Sequence, residues 1–476
     1  MAKTSSVDLC IIGAGSGGLA LAAGAVQMGA RVALIERGKM GGDCLNYGCV
    51  PSKAMIAAGK HAHEMSSGEA FGVARQPAEV NFQQVAAHVR SVIDAIAPHD
   101  SQERFEGLGV EVYRAEGRFL SGDVVEAGEH RIHARRFVIA TGSSPGVPPI
   151  PGLIDVPFFT NETIFNNEQR PEHLVVIGGG PIGMELAQAH RRLGSKVTVL
   201  EMFQTLAKDD PELTQIVKDS MVADGVTLLE GIAIDSISKS EGGGICVRLR
   251  KDEREQEVRG SHLLVAAGRR PNVVDLKLEK AGVAYSPRGI DVDARLRTTN
   301  KKIFAIGDVT GGLQFTHVAG YHAGIVIRNA LLRIPAKADH SCVPWVTYTD
   351  PELAHVGLDE TRAREKYGDR LRVLRWSMEE NDRAQAERRT KGMAKALVSP
   401  RGRILGVSIV GPHAGDLLQP WVLAMTKKMK IGSMAGFIAP YPTLGEINKR
   451  IAGSYFTEKL FSNSMRRIVR LLSAFG

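Results

Sequence analysis

The feature that most constrains this chain is a strand–glycine turn–helix unit that occurs twice. Val7-Asp8-Leu9-Cys10-Ile11-Ile12 runs into Gly13-Ala14-Gly15-Ser16-Gly17-Gly18 and an Ala/Leu-rich helical stretch, and a second strand, Arg31 to Ile35, ends in Glu36. Further along, His173 to Ile177 runs into Gly178-Gly179-Gly180-Pro181-Ile182-Gly183. A helix near Met184 to Leu193 follows, and the strand Lys196 to Leu200 ends in Glu201. A G-x-G-x-x-G turn between strand and helix lets a pyrophosphate approach the backbone, and the helix N-terminus offers it unpaired N–H groups. An acid about 20 residues further on is placed for a ribose hydroxyl. One such turn is weak evidence. Two, each with its strand, helix and acid, point to two nucleotide sites, hence two cofactors or one cofactor and a nucleotide substrate.

Composition agrees. The chain has 476 residues, 43% hydrophobic and 24% charged, values of an average soluble protein that exclude disorder, collagen-like repeats and a multi-span membrane protein. Fifty-two glycines make about 11% of the chain against a usual ~7%, as nucleotide-binding turns require. Net charge is +8 and the isoelectric point about 9.2. The basic residues are spread out, aromatics are 5%, and no basic stripe is interleaved with stacking rings, so nucleic acid is not an expected partner. The uncharged stretch Leu9 to Ala30 is interrupted by six glycines and reads as strand, turn and helix rather than a signal or membrane span. A cytoplasmic protein is expected.

The breaks suggest the domains. Pro145 to Pro151 is a Pro/Gly-rich link after the apolar strand Phe137 to Ala140. The strand Leu263 to Ala267 ends in Gly268-Arg269-Arg270-Pro271-Asn272, and Ile303 to Ile306 ends in Gly307-Asp308. Past about Cys342 strands and helices continue without glycine fingerprints. The expected fold class is α/β, with two Rossmann-like dinucleotide-binding domains and a C-terminal α+β domain. The expected boundaries are 1–150 and 271–340 for the two segments of the first domain, 151–270 for the second, and 341–476 for the third.

Directly after the first nucleotide unit comes Gly41-Gly42-Asp43-Cys44-Leu45-Asn46-Tyr47-Gly48-Cys49-Val50-Pro51-Ser52-Lys53. Two cysteines at a helix start can form a redox disulfide, and the helix N-terminus and Lys53 would lower a thiolate pKa. The alternatives are two structural cysteines or half a zinc site, but zinc needs further Cys/His pairs at ligand spacing and none is nearby. Five cysteines, an odd number, fit a reducing compartment with at most one special pair. Cys10, Cys246 and Cys342 read as small core or near-core residues.

These residues resemble the class I pyridine nucleotide–disulfide oxidoreductases, which include dihydrolipoyl dehydrogenase, glutathione reductase and mercuric reductase. The resemblance covers nearly the whole chain: Gly13 to Gly18, the G-G-x-C-x4-C-x-P-[ST]-K box, Ala140-Thr141-Gly142, Gly178 to Gly183, Gly307-Asp308 and Thr349-Asp350-Pro351-Glu352. It implies FAD at the first fingerprint (Gly13, Gly15, Gly18), NAD(P)H at the second (Gly178, Gly180, Gly183), with Thr141, Gly142 and Gly268 also at the cofactors. It implies a homodimer built on the last domain. Nicotinamide would pass a hydride to the flavin, and reduced flavin would open the Cys44–Cys49 disulfide. Cys49 would be the flavin-proximal thiol and Cys44 the interchange thiol. Lys53 and Glu185 match an ion pair near the reactive flavin nitrogen, Asp308 would bind the ribityl chain and Glu36 the adenosine ribose. Glu201 would accept from a ribose 2′-OH and repel a 2′-phosphate, and Met202-Phe203-Gln204 follow where NADPH-selective relatives place arginines. NADH is the expected donor.

The chain departs from the resemblance at its C-terminal end. Where dihydrolipoyl dehydrogenase and glutathione reductase carry H-P-T and then a glutamate, this sequence reads Tyr441-Pro442-Thr443-Leu444-Gly445-Glu446. Glu446 keeps its register, while Tyr441 replaces the histidine that takes the dithiol proton. A phenol of pKa about 10 acts as a base at pH 7 only at a cost of roughly 4 kcal/mol. Tyrosine here is similar to mercuric reductase, whose soft metal substrate is held by thiolates and needs no such base. No cysteine follows Cys342 in this sequence, so the vicinal cysteine pair that usually ends mercuric reductases is not expected, and neither is an N-terminal metal-binding domain. The expected function is an FAD enzyme moving electrons from NADH through Cys44–Cys49 to a soft metal or small disulfide. The pair would hold metal only transiently, and no resident metal site is expected. The alternatives are a dihydrolipoyl dehydrogenase-like activity and, from another class, a flavoprotein redox sensor or adaptor. Finally, from Leu460 onward Phe461, Met465, Ile468, Val469, Leu472 and Phe475 recur at helical spacing while Arg466, Arg467 and Arg470 lie elsewhere. The 460–476 tail thus reads as a basic amphipathic helix that packs on its own protein, rests on a membrane surface or docks on a partner.

Overall fold

The computed structural model describes residues 3–475. They fall into two compact units: the first holds residues up to Met202 together with Leu229–Asp339, and the second holds Phe203–Leu228 and the residues from His340 onward. The segment 203–228, which lies inside the 151–270 stretch expected to bind nicotinamide, belongs to the second unit.

The first unit contains two sheets whose central strands run parallel and are arranged alike. In one, β1 (Lys3–Ile12) lies between β2 (Val32–Ile35) and β3 (His130–Ile139), with Leu9 opposite Val32 and Ile11 opposite Val138. In the other, β4 (His173–Ile177) lies between β5 (Lys196–Glu201) and β6 (His262–Val265). These central strands are apolar on both faces, with Leu9, Ile11, Val175 and Val176 fully buried, as a parallel sheet covered on both sides demands. Strand β7 (Ile303–Ala305) pairs with β3, Phe137 opposite Ile303, and so returns the later sequence to the first sheet. Strand β3 runs longer than the apolar core Phe137 to Ala140, because its first half alternates and also pairs with the antiparallel strand Val124–Ala127.

Helix α1 (Ser16–Gln27) follows the first turn, and α2 (Gly42–Asn46) and α3 (Cys49–Met65) carry the cysteine box. Helix α4 follows the second turn and spans Pro181–Arg192 rather than starting near Met184. Proline's missing N–H costs nothing in a first turn and its fixed φ suits the helix, so Pro181 opens it early. Helix α3 packs on α4 at Gly59, where a Cβ would lie 3.1 Å from the Ala189 carbonyl oxygen.

The second unit is a five-stranded antiparallel sheet, in the order Pro344–Thr347, Glu352–Gly357, Ile404–Gly411, Met393–Val398, Arg372–Ser377. Helices α5 (Ala414–Thr426) and α6 (Glu446–Leu460) contribute to its core. Trp421 is fully buried there and its indole donates to Asn448 Oδ1 at 2.7 Å. Helix α7 (Asn463–Leu472) follows α6 and is capped by the Ser462 hydroxyl.

Candidate functional site

The two glycine turns have matching geometry. Gly13 has φ +109 and its N–H donates to the Ile35 carbonyl at 2.8 Å; Gly178 has φ +109 and its N–H donates to the Leu200 carbonyl at 2.9 Å. A Cβ on Gly18 or Gly183 would sit 1.9 Å from the carbonyl oxygen of Gly13 or Gly178, so no other residue fits where helix and strand touch. The middle glycines face room: nothing lies within 4 Å of a Cβ on Gly180, and only the Gly42 Cα, at 4.0 Å, approaches one on Gly15. The acids close back on the turns. Glu36 Oε2 accepts from the Ala14 N–H at 2.6 Å, and Glu201 Oε2 accepts from the Gly179 N–H at 2.7 Å. The open middle of each turn and the free helix N-terminus fit a dinucleotide pyrophosphate.

The cysteine box is tied to the first turn. Gly41 N–H donates to the Ala14 carbonyl at 3.0 Å, and a Cβ on Gly42 would lie 2.7 Å from the Gly15 Cα. All five cysteines are free thiols; Cys10 and Cys246 are buried and Cys342 half-buried. The Cys44 thiol donates a hydrogen bond to the Cys49 sulfur, which pulls the Cys49 pKa down to about 6; the Thr316 hydroxyl, whose oxygen is 3.4 Å from that sulfur, and the Lys53 charge add to this, while burial opposes it. Cys49 opens α3, where free backbone N–H groups favour negative charge. Cys44 moves the other way: its hydrogen bond to Cys49 and its burial push the thiol well above its ordinary range. Of the pair, Cys49 therefore holds the negative charge.

Lys53 Nζ donates to Glu185 Oε2 at 2.7 Å, and the Glu185 side chain is buried. A buried carboxylate needs a partner, and the close approach of α3 and α4 supplies one from 132 residues away. The Ala140-Thr141-Gly142 turn is clamped to Asn272: the Thr141 hydroxyl donates to the Asn272 carbonyl at 2.8 Å, and the Asn272 amide donates to the Thr141 carbonyl at 2.9 Å. Gly268 adopts φ +114 with open space beside it.

Several groups around these residues were not singled out from sequence. Ser143 Oγ donates to Asp308 Oδ2 at 2.6 Å, and burial raises the Asp308 carboxyl above its usual range. Arg269 Nη2 lies 3.0 Å from Asp43 Oδ1 and its Nε 4.0 Å from Asp308, so one guanidinium links the cysteine box to the Gly307-Asp308 turn. Thr316 is 267 residues from Cys49. No local motif marks such partners; the flanking G-R-R-P-N run was the sole hint for Arg269.

In the second unit, the Tyr441 hydroxyl donates to Asp382 Oδ2 at 2.9 Å, and Glu446 lies 3.8 Å from Arg450. The hydrogen bond to Asp382 and that carboxylate's charge raise the phenol pKa above its ordinary 10. Tyr441 is 68% exposed, and Asp382 is a partner no spacing announced.

Residues 7–323 match the family described as pyridine nucleotide-disulphide oxidoreductase, and residues 343–451 match that family's dimerisation domain. Mercuric reductase of Bacillus cereus is 34% identical over 442 residues, covering 92% of this chain and 70% of the relative. Dihydrolipoyl dehydrogenase of Bacillus subtilis (strain 168) is 31% identical over 457 residues, covering 92% and 96%. The Cu(II) complex of the HOCl-induced flavoprotein disulfide reductase RclA from Escherichia coli superposes with TM-score 0.84 at 27% identity, covering 94% of this chain and 99% of that one.

Proposed function

The chain belongs to the pyridine nucleotide-disulphide oxidoreductases, and from that premise we propose that it reduces a soft metal ion of the Hg(II) kind with electrons from NADH. It is an FAD-dependent enzyme with a redox-active disulfide, and its dimerisation domain supports a homodimer. FAD, when bound along Gly13, Gly15 and Gly18, supplies two-electron transfer between the nicotinamide and the Cys44–Cys49 disulfide.

Glu36 would accept from the adenosine ribose of FAD, Asp308 from its ribityl chain, and Glu201 from the ribose of NADH. Two electrons and one proton convert the disulfide into a Cys44 thiol and a Cys49 thiolate. The Cys44 hydrogen bond, Thr316 and Lys53 hold that charge on Cys49, and Glu185 keeps the Lys53 ammonium in place. Cys44 stays protonated until substrate arrives; a soft metal displaces its proton and is held by both sulfurs. The overall balance is NADH plus Hg(II) giving NAD⁺, Hg(0) and one proton. A cytoplasmic setting, with its supply of NADH, suits this reaction.

The observation that carries the choice of acceptor is Tyr441. A dithiol substrate must lose a proton to a base, and a phenol held above 10 by Asp382 is protonated at neutral pH. A thiolate-bound metal makes no such demand. Tyr441 and Glu446 would serve the cysteines of the second subunit. The likeness to dihydrolipoyl dehydrogenase supports a second reading, dithiol–disulfide exchange with a different base. Anaerobic NADH oxidation with thiol-complexed Hg(II) or lipoamide, for the wild type and Tyr441→His, separates the two. Preference for Hg(II), with lipoamide turnover gained by the histidine variant, is expected; efficient lipoamide turnover by the wild type would replace this reading with the second.

A further inference from the structure

Helix α7 stands apart from the core that the rest of the second unit builds. None of its residues is buried. At about 100° per residue, Met465, Ile468, Val469 and Leu472 share one side of it, and Arg466, Arg467 and Arg470 share the opposite side. The apolar side is open to solvent: Ile468 is 48% exposed, Val469 57% and Leu472 62%, and Phe461 and Phe475 at either end are more exposed still. No Asp or Glu occurs between Lys459 and Phe475, and among the described residues none of the three arginines is in an ion pair.

We propose that α7, with Phe461 and Phe475, lies on the surface of an anionic lipid bilayer, its apolar side among the acyl chains and its arginines at the headgroups. Charge complementarity selects this occupant. A second copy of the helix carries the same three positive charges and no acid to pair with them, whereas an anionic leaflet attracts all three arginines. The family's dimerisation domain matches residues 343–451 and so ends before the helix. Ten residues are too few to cross a bilayer, which takes about 20; an in-plane helix with a basic side and an exposed apolar side is the arrangement that binds the interface. The inference concerns where the enzyme works, and does not depend on which acceptor it reduces.

The test uses the full-length flavoprotein and co-sedimentation with vesicles of phosphatidylcholine, with or without phosphatidylglycerol. The wild type is expected to sediment with the anionic vesicles, to be released by high salt and to stay in solution with neutral ones. Arg466→Gln/Arg467→Gln/Arg470→Gln is expected to weaken binding on the order of a hundredfold, at roughly fivefold per charge. Ile468→Ser/Leu472→Ser should abolish it. Both variants change exposed side chains outside the redox site, and flavin reduction by NADH should match the wild type and report a folded enzyme. Wild type remaining in solution with anionic vesicles, or binding unchanged by loss of the arginines, overturns the proposal. So does a change of oligomeric mass in the Ile468/Leu472 variant with vesicle binding retained, since the helix would then pack on a second copy.

Discussion

The two glycine turns are nearly the same object in two settings. Both place φ +109 on the first glycine, both bring the last glycine against the first one's carbonyl, and both receive a carboxylate from the end of the next strand. They differ in what surrounds them. The first turn is crossed by the redox box: Gly41 donates to Ala14, and Gly42 presses on Gly15 closely enough that a Cβ there would lie 2.7 Å from its Cα. The second turn has nothing within 4 Å of a Gly180 Cβ, and Met202 and Phe203 after its acid are exposed. On the proposed function, an FAD held at the first turn would be tied to the cysteine box and would stay with the protein. A nucleotide at the more open second turn would come and go. One supersecondary unit would thus serve as a resident site and as an exchange site, and the difference lies in the packing around it.

Substitutions at the two turns test that contrast. The largest effect is expected from Gly42→Ala. Its Cβ must be placed at φ +61 against the Gly15 backbone, a conflict of about 2–4 kcal/mol, so the purified protein should carry little FAD, read from its absorbance against protein content. Gly180→Ala meets no protein atom and its φ of -75 suits alanine. The fold and flavin content should be unchanged, while the KM for NADH rises tenfold or more, about 1.4 kcal/mol, because the methyl group occupies the pyrophosphate's approach. Equal flavin loss in both variants would erase the distinction between resident and exchange sites.

Smaller effects sharpen it. Wild-type kcat/KM should favour NADH over NADPH, and Glu201→Ser should shrink that ratio about tenfold through loss of one charged hydrogen bond. Thr316→Val should act at the cysteines alone. Cys49 titrates at about 6, so its thiolate is present above that pH and is lost as pH falls through 6. Without the Thr316 hydroxyl the pKa rises, and the acid limb of the NADH-driven activity should move up by about one pH unit, the worth of one hydrogen bond to a charged group. NADH binding should not change.

Much of the fold and site was legible before the structure because it depends on short-range chemistry. The glycine turns, the apolar strands that feed them and the cysteine box each occupy one continuous stretch, and their conformations follow from residue type. Helix and strand ends were less legible: Pro181 starts its helix earlier than the apolar pattern suggested, and β3 extends through its alternating half. Partners that long-range folding brings together carried little or no local signal. Thr316 reaches Cys49, Arg269 reaches Asp43 and Asp382 reaches Tyr441 only because sheets and helices bring distant segments into contact. The Lys53–Glu185 pair was found by resemblance, and the geometry supplies its physical reason, a buried carboxylate at the point where α3 and α4 touch.

The same kind of network stabilises the second unit. Lys395 is buried with its Nζ 2.7 Å from Asp210, 3.0 Å from Glu212 and 2.6 Å from Glu360. Lys395→Met would leave the buried Asp210 carboxylate unpaired and should cost about 3–5 kcal/mol in stability, measured by denaturant unfolding.

The most direct test of the central claim, that electrons from NADH leave the protein through Cys44 and Cys49, is anaerobic reduction of thiol-complexed Hg(II) by the wild type and Cys44→Ser. The account predicts one NADH oxidised per metal ion reduced by the wild type. In Cys44→Ser, NADH should still reduce the flavin while metal reduction is lost. Metal reduction by Cys44→Ser at the wild-type rate would contradict it, because the electrons would then bypass the cysteine pair.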